Sequence, residues 1–302
     1  MKKKEFLLRL KLQKGVGYVK LLTIANQMKP GLEIELDDLK EMDLSEKLVD
    51  ACHLAFNDDK LAKLTRQIRR QCIVISFFDE EYPEKLRQIY RPPLILFAQG
   101  NLSLLKKDIV TIVGSRYPTH YSRDVINRLV PNLLDQNKVI ASGLARGVDA
   151  LAHEATLKNN GRTVAVVGNG LNHSYPQENY SLQEQIKNDG LIISEYLPDT
   201  PPRPYRFPKR NRILAGLSES IIVTEAKEKS GSLITASLGL QENRDIYAVP
   251  GPITSKLSSV CHTIWRTKIT GKNIVLPVFF YNNFEKLSVI NLVFCCLVSS
   301  IK

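Results

Sequence analysis

Between Arg206 and Gly216 the chain reads RFPKRNRILAG, which sets Arg206, Lys209, Arg210 and Arg212 around one aromatic ring, Phe207. Like charges crowded in this way repel one another, and the arrangement implies an anion that belongs between them. Four further stretches have residue types suited to holding an anion. They are Gly114-Ser115-Arg116, the run SGLARG from Ser142 to Gly147, Gly168-Asn169-Gly170, and Ser230-Gly231-Ser232 leading to Thr235. Each places small residues before an expected helix start, where exposed backbone N–H groups attract anionic oxygens. Any one of these glycines serves tight packing equally well. Four such turns on one sheet edge, joined by Arg116 and the cationic stretch, favour a phosphate-binding groove.

Other chemistries lack their residues. Gly168-x-Gly170 opens a dinucleotide fingerprint, but His173 stands where the third glycine must let helix and sheet approach. No GxxxxGK[ST] loop and no GxSxG elbow occurs, which argues against a P-loop NTPase and a nucleophile-elbow hydrolase. Asp149 and His153, four apart on one expected helix, read as a structural pair or a buried histidine rather than an acid–base couple. His53, His120, His173 and His262 have no metal-ligand spacing, so no metal is expected. Glu225 closes a strand and is placed to orient Lys227 or to cap a turn. The residues point to a binding protein rather than an enzyme, with no cofactor.

The elements that must position these turns are legible as a change of grammar near Cys72. Before it, KGVGYVKLLTIANQM and LSEKLVDACHLAFNDDKLAKLTRQIRR carry helical periodicity, and the Gly15–Gly17 turn fits either a helix-hairpin-helix or a plain tight turn. After it come the apolar runs CIVIS, PLILFAQG, IVTIVG, VIASG, TVAVVG, LIISE, SIIVTE and DIYAV. From IVTIVG onward they are separated mostly by helix-length segments. Such alternation predicts an α/β fold, a Rossmann-like doubly wound parallel sheet with a small helical N-terminal domain. The expected boundaries are 1–71 for the helices, 72–259 for the sheet domain and 260–302 for an atypical tail. In sheets of this kind ligands bind beyond the carboxyl ends of the strands, where the glycine-rich turns lie.

The net charge of +11 and pI of about 9.3 favour a polyanionic partner, nucleic acid before membrane. Five scattered cysteines without a CxxC fit reduced thiols. The charged start interrupts any signal-peptide core, and the run Val289–Val298 falls short of the ~20 residues that span a bilayer. A cytoplasmic protein is expected.

In this order the motifs DEEYPEKLRQIYRPPLILFAQG, IVGSR, SGLARGVDALAHEATL, GRTVAVVGNGL, YPQEN, LIISEY, FPKRNRILAGLS, VTEAKEKSGSLITA and YAVPGPI resemble the DNA-processing protein A (DprA/Smf) family. They run from about Asp79 to Ile253. The resemblance implies a binder of single-stranded DNA that protects incoming strands during natural transformation and helps to load the recombinase RecA, a homodimer in the family, with no nucleotide turnover. It implies that Arg116, Lys209, Arg210 and Arg212 hold phosphates, that Phe207 stacks on a base and that Asn211 hydrogen-bonds beside them. Backbone amides of Ser142-Gly143 and Ser230-Gly231-Ser232 would complete the groove. It also implies a sterile-alpha-motif-like or helix-hairpin-helix-like N-terminal domain.

The end departs from that pattern. Val260 stands where the family has a glycine before Cys261-His262, and from Ile253 onward six basic residues face Glu285 alone. The tail reads as out-of-frame sequence, with a divergent lineage-specific tail as the alternative. Dimerisation and RecA loading are therefore the implied properties in question. Two other functions on the same fold compete. One is a nucleotide-processing, phosphoribohydrolase-like enzyme, although KSGSLITA lacks the glutamate of its PGGxGTxxE-type motif. The other is a small-nucleotide sensor.

Overall fold

The computed structural model describes residues 1–227, 230–251, 255 and 257, together with the backbone of Leu276–Pro277. Four helices come first: α1 (Lys3–Leu12), α2 (Tyr18–Ala25), α3 (Glu46–Asn57) and α4 (Asp59–Gln71). The start of α4 is set by Asp58, whose carboxylate accepts from the amides of Lys60 and Leu61 at 2.6 and 3.3 Å. Then β1 (Ile73–Ser76), the single-turn helix α5 (Glu84–Arg87) and β2 (Ile95–Gly100) lead into a regular alternation. It runs β3 (Ile109–Val113), α6 (His120–Asp135), β4 (Val139–Ser142), α7 (Val148–Lys158), β5 (Thr163–Val167), α8 (Tyr180–Asp189) and β6 (Leu191–Ser194). It continues through α9 (Arg206–Leu217), β7 (Ser220–Val223), α10 (Gly231–Gln241), β8 (Asp245–Ala248) and the two-residue β9 (Leu276–Pro277).

All eight strands expected from the apolar runs are present. They form one sheet in the order β1-β2-β6-β5-β4-β3-β7-β8-β9. From β6 to β9 every pairing is parallel, while β2 runs antiparallel to both β1 and β6. The runs IVTIV and TVAVV are buried at every residue because helices cover both faces. Ala165, Val167 and Ile192 face one core, and Val164, Val166 and Ile193 face the other, which α9 closes with Ile213, Leu214 and Leu217.

The topology fixes where a ligand belongs. From β3 the chain winds outward through β4, β5 and β6, then returns to the other side of β3 as β7. The crevice at such a reversal opens beyond the carboxyl ends of β3 and β7. Gly114-Ser115-Arg116 follows β3, and Ser230-Gly231-Ser232 follows β7.

The N-terminal helices do not keep a core of their own. Phe6, Leu7, Leu8 and Leu10 of α1 are fully buried, in one apolar core with Val74, Ile95, Phe97 and Ile192 of the sheet. Charged residues on α1 are buried too, which the basic look of MKKKEFLLRLKL hid. Arg9 donates to the carbonyls of Ala55 and Phe56 at 3.0 and 3.3 Å, satisfying the end of α3, and pairs with Glu5 at 2.5 Å. Lys4–Asp79 at 2.6 Å and the Tyr18 hydroxyl on the Pro92 carbonyl at 3.2 Å bridge the expected boundary near residue 72. The expected atypical tail, 260–302, lies outside the described residues except for β9. That strand pairs with β8 through Tyr247↔Leu276.

Candidate nucleic-acid interface

The floor of the crevice is built from buried polar groups. The Asp149 carboxylate, on the first turn of α7, accepts from the amides of Gly143 and Ala145 at 3.1 and 3.4 Å. The Arg210 guanidinium reaches the same point from α9 and donates to the Val166 carbonyl. A Cβ added at Gly143 would lie 2.5 Å from both Arg210 Nη2 and Asp149 Oδ2, so only glycine leaves room for this meeting. Burial pulls the Arg210 guanidinium down to about 10, opposed by Asp149. It remains cationic at neutral pH. Burial also raises the Asp149 carboxyl, against the pull of Arg210 and the amides.

This arrangement changes the jobs implied for several residues. Arg210 is 5% exposed and turned into the floor, so it underpins the crevice instead of offering a charge to it. Arg212 is bound to Glu195 at 2.7 Å with both side chains mostly buried. Lys11 of α1 lies beside that pair, its ammonium lowered by burial and held up by Glu195. Ser142 donates to the Ile112 carbonyl at 2.6 Å, and the Gly143 amide is occupied by Asp149. Asn211 is buried and donates to the Gly231 carbonyl at 3.2 Å, which fixes α9 against the start of α10.

What faces solvent is a smaller set. Arg116 and Lys209 are exposed. Lys209 lies 5.3 Å from the centroid of the exposed Tyr205 ring, and Arg206 sits over Tyr196 at 4.9 Å. At the start of α10, the Ser230 hydroxyl accepts from the Leu233 amide at 3.4 Å, and Ser232 donates to the Gly114 carbonyl at 2.6 Å. That last bond draws the N-terminus of an 11-residue helix against the turn carrying Arg116. Backbone amides and helix dipole thus meet the turn carrying Arg116 at the reversal point, which suits an anionic oxygen.

Phe207 is half-buried. One edge of its ring rests on Gly168, where an added Cβ would come within 2.8 Å of Cδ1. Its face is stacked on Tyr175, with centroids 5.1 Å apart and planes 28° from parallel. The outer ring of the pair is Tyr175, 46% exposed. Nothing in the sequence singles out Tyr175 within YPQEN as the ring that covers Phe207. Nothing in spacing announces that the loop after β5 folds back over α9. The same motif supplies Asn179, whose side chain donates to the carbonyls of Leu144 and Ala145 at 3.1 and 3.3 Å and so holds the SGLARG loop.

The remaining candidates are structural. Thr163 spends its hydroxyl proton on the Ile140 carbonyl at 2.8 Å, so it accepts from His153 Nδ1 at 2.6 Å, and the imidazole is the Nδ1–H tautomer. His153 does not pair with Asp149, and burial lowers its pKa to about 3. Glu225 caps α6: its carboxylate accepts from the amide and hydroxyl of Thr119, both at 2.7 Å, and from Ser122 at 2.8 Å. No group of three or more His, Cys, Asp or Glu able to hold a metal occurs among the described residues. No helix among them is long and apolar enough to cross a membrane.

Comparison with known proteins meets this geometry. The family model for DNA recombination-mediator protein A matches residues 73–273, a span that continues beyond Cys261. The DNA processing protein DprA of Bacillus subtilis is 43% identical over 196 residues, covering 64% of this chain and 66% of its own. That of Streptococcus pneumoniae is 46% identical over 187 residues, covering 62% and 66%. Each match thus spans just under two-thirds of the relative's own length. The X-ray structure of DprA from S. pneumoniae superposes with a TM-score of 0.78 at 36% identity, over 91% of this chain and 96% of that one. A structure of DNA processing protein A from Helicobacter pylori, described for its single-stranded DNA binding mode, aligns with a TM-score of 0.61 at 28% identity, over 70% and 92%.

Proposed function

The chain belongs to the DNA recombination-mediator protein A family, and on that premise we propose that it binds single-stranded DNA in the crevice beyond β3 and β7. It acts there as a recombination mediator, without turning over a nucleotide. The observation that carries this reading is the row of groups along the carboxyl ends of the strands, with the Arg116 turn and the α10 N-terminus joined at β3 and β7, and the exposed Tyr175 ring on Phe207 of α9, the helix that carries the exposed Lys209, beyond β5. Cations that track phosphates, next to a ring that accepts any base, are what sequence-tolerant strand binding needs. Phosphates lie along Arg116, Lys209 and the Ser230-Gly231-Ser232 turn, while Arg210, Arg212, Asn211, Ser142 and Gly143 hold the crevice in shape. Phe207 backs the stacking ring. In this reading the protein works in the cytoplasm as a homodimer, shields incoming strands during natural transformation and passes them to RecA.

The test is oligonucleotide binding by anisotropy, followed by nuclease protection and RecA filament assembly on the bound strand. Tight, sequence-tolerant binding that a Lys209→Ala change weakens supports the reading. Absence of binding at low salt overturns it. Release of free base from AMP would make the protein a phosphoribohydrolase-like enzyme instead. A mononucleotide that competes as well as an oligonucleotide would make it a sensor.

A further inference from the structure

Helix α4 carries a second concentration of positive charge that the crevice does not use. Lys60, Lys63, Arg66, Arg69 and Arg70 are all exposed, and from Lys60 to Gln71 the helix contains no acid. At 3.6 residues per turn, Lys60, Lys63, Arg66 and Arg70 fall in one stripe running about 15 Å along the axis. The opposite side, with Leu61 and Thr65, is buried. Among the described residues none of the five forms an ion pair. Neighbours three and four apart on a helix repel when their charges are alike. Lys60 and Lys63 also sit near the positive end of the helix dipole. The stripe is therefore poised for an anion as long as itself.

Its position relates it to the crevice. Gln71, the last residue of α4, accepts through Oε1 from Asn172 Nδ2 at 3.2 Å and through its carbonyl from Gln99 at 2.9 Å. Asn172 belongs to the loop that runs from Gly168 to Tyr175. Asp199, the acid at this junction, is engaged by the same Asn172 amide at 2.6 Å. We propose that the α4 stripe is a second phosphate-backbone site, which takes the single strand as it leaves the crevice past Tyr175. This rests on the crevice being the strand's first site. The stripe has no aromatic ring, so it holds phosphates and is indifferent to bases.

The experiment compares the full chain with a Lys60→Gln, Lys63→Gln, Arg66→Gln, Arg70→Gln variant. Oligonucleotides of about six and about twenty nucleotides are used, a range that brackets one site and two. Thermal melting serves as the check on folding, and exposed glutamines suit a helix. The variant is expected to bind the short strand unchanged and to lose roughly tenfold or more on the long one. Its log–log salt slope on the long strand should become shallower by about 0.7 for each contact removed. Making the outer part of the long strand abasic should leave wild-type binding unchanged, and the variant should lose as much on that strand as on the intact one. Equal losses on both lengths, or none on either, would overturn the proposal while leaving the crevice reading intact. If the wild type binds only the long strand and the variant abolishes that binding, the stripe is a first site, and the crevice reading falls together with the proposal of a second one. If polyglutamate displaces the long strand from the stripe better than a phosphate backbone of equal charge does, the partner is an acidic protein and the proposal falls.

Discussion

The Phe207–Tyr175 pair separates two roles that a lone aromatic residue would combine. Tyr175→Ala removes the outer ring but no charge. It is expected to cost about 1–3 kcal/mol on oligonucleotides, with the salt slope unchanged and no further loss on an abasic strand. Additive losses from the variant and the abasic site, measured by anisotropy, would take the stacking role from Tyr175. The two cations of α9 divide in the same way. Lys209→Ala should make the slope shallower by about 0.7. Arg210→Ala should leave the slope alone and cost about 3–5 kcal/mol of folding stability, because Asp149 is left buried without its compensating charge. Spacing announced the density of positive charge in RFPKRNR. It did not announce that Arg210 turns inward to the Val166 carbonyl near Asp149, or that Arg212 pairs with Glu195, because those partners come from other elements and meet only through the fold. His153 gives a pH test with a definite sign. Its folded pKa of about 3 lies below the unfolded value of about 6.5. Its stability contribution is intact above pH 6.5 and is lost as pH falls toward 3, by about 1.4 kcal/mol per pH unit, since only the unfolded chain takes the proton. Asp149, raised in the fold, works in the opposite direction over the acid range. His153→Asn should flatten the slope of denaturant-measured stability between about pH 6.5 and 5.

At the level of elements, the strands were legible because a strand buried on both faces has to be apolar throughout, as IVTIV and TVAVV are. The turns were legible because a tight passage from strand to helix needs small residues. The boundary near residue 72 was less so, because what crosses it is packing between distant segments. Phe6 is fully buried and lies 5.0 Å from the Phe56 ring. Phe6→Ala is expected to cost about 3–5 kcal/mol. With a shared core, calorimetry should show one transition, and that transition should move as a whole in the variant. A second peak that stays in place would mean that the sheet unfolds independently of the helices.

Over the whole molecule, the excess of positive charge divides into what the fold has neutralised and what remains for a partner. Arg9, Arg212 and Lys138 are tied to carboxylates, whereas Arg116 and the α4 cations have none among the described residues. Binding to a long strand should therefore weaken steeply with salt, with a log–log slope of roughly −3 or beyond at about −0.7 per phosphate, and a flat response would mean a merely solvated surface. The sheet order has a further consequence, for the growing chain. Strand β2 pairs with β1 on one side and with β6 on the other, and β6 ends at Ser194. The helices, β1 and β2 are complete by Gly100 and can fold together as they leave the ribosome. Translation at about 5–20 residues per second then leaves one edge of β2 without its neighbour for roughly 5–20 seconds. An open strand edge of that kind is where nascent chains pair with one another. A slow stretch of codons between residues 100 and 191 would lengthen that exposure, whereas the same pause once β6 has left the ribosome would not.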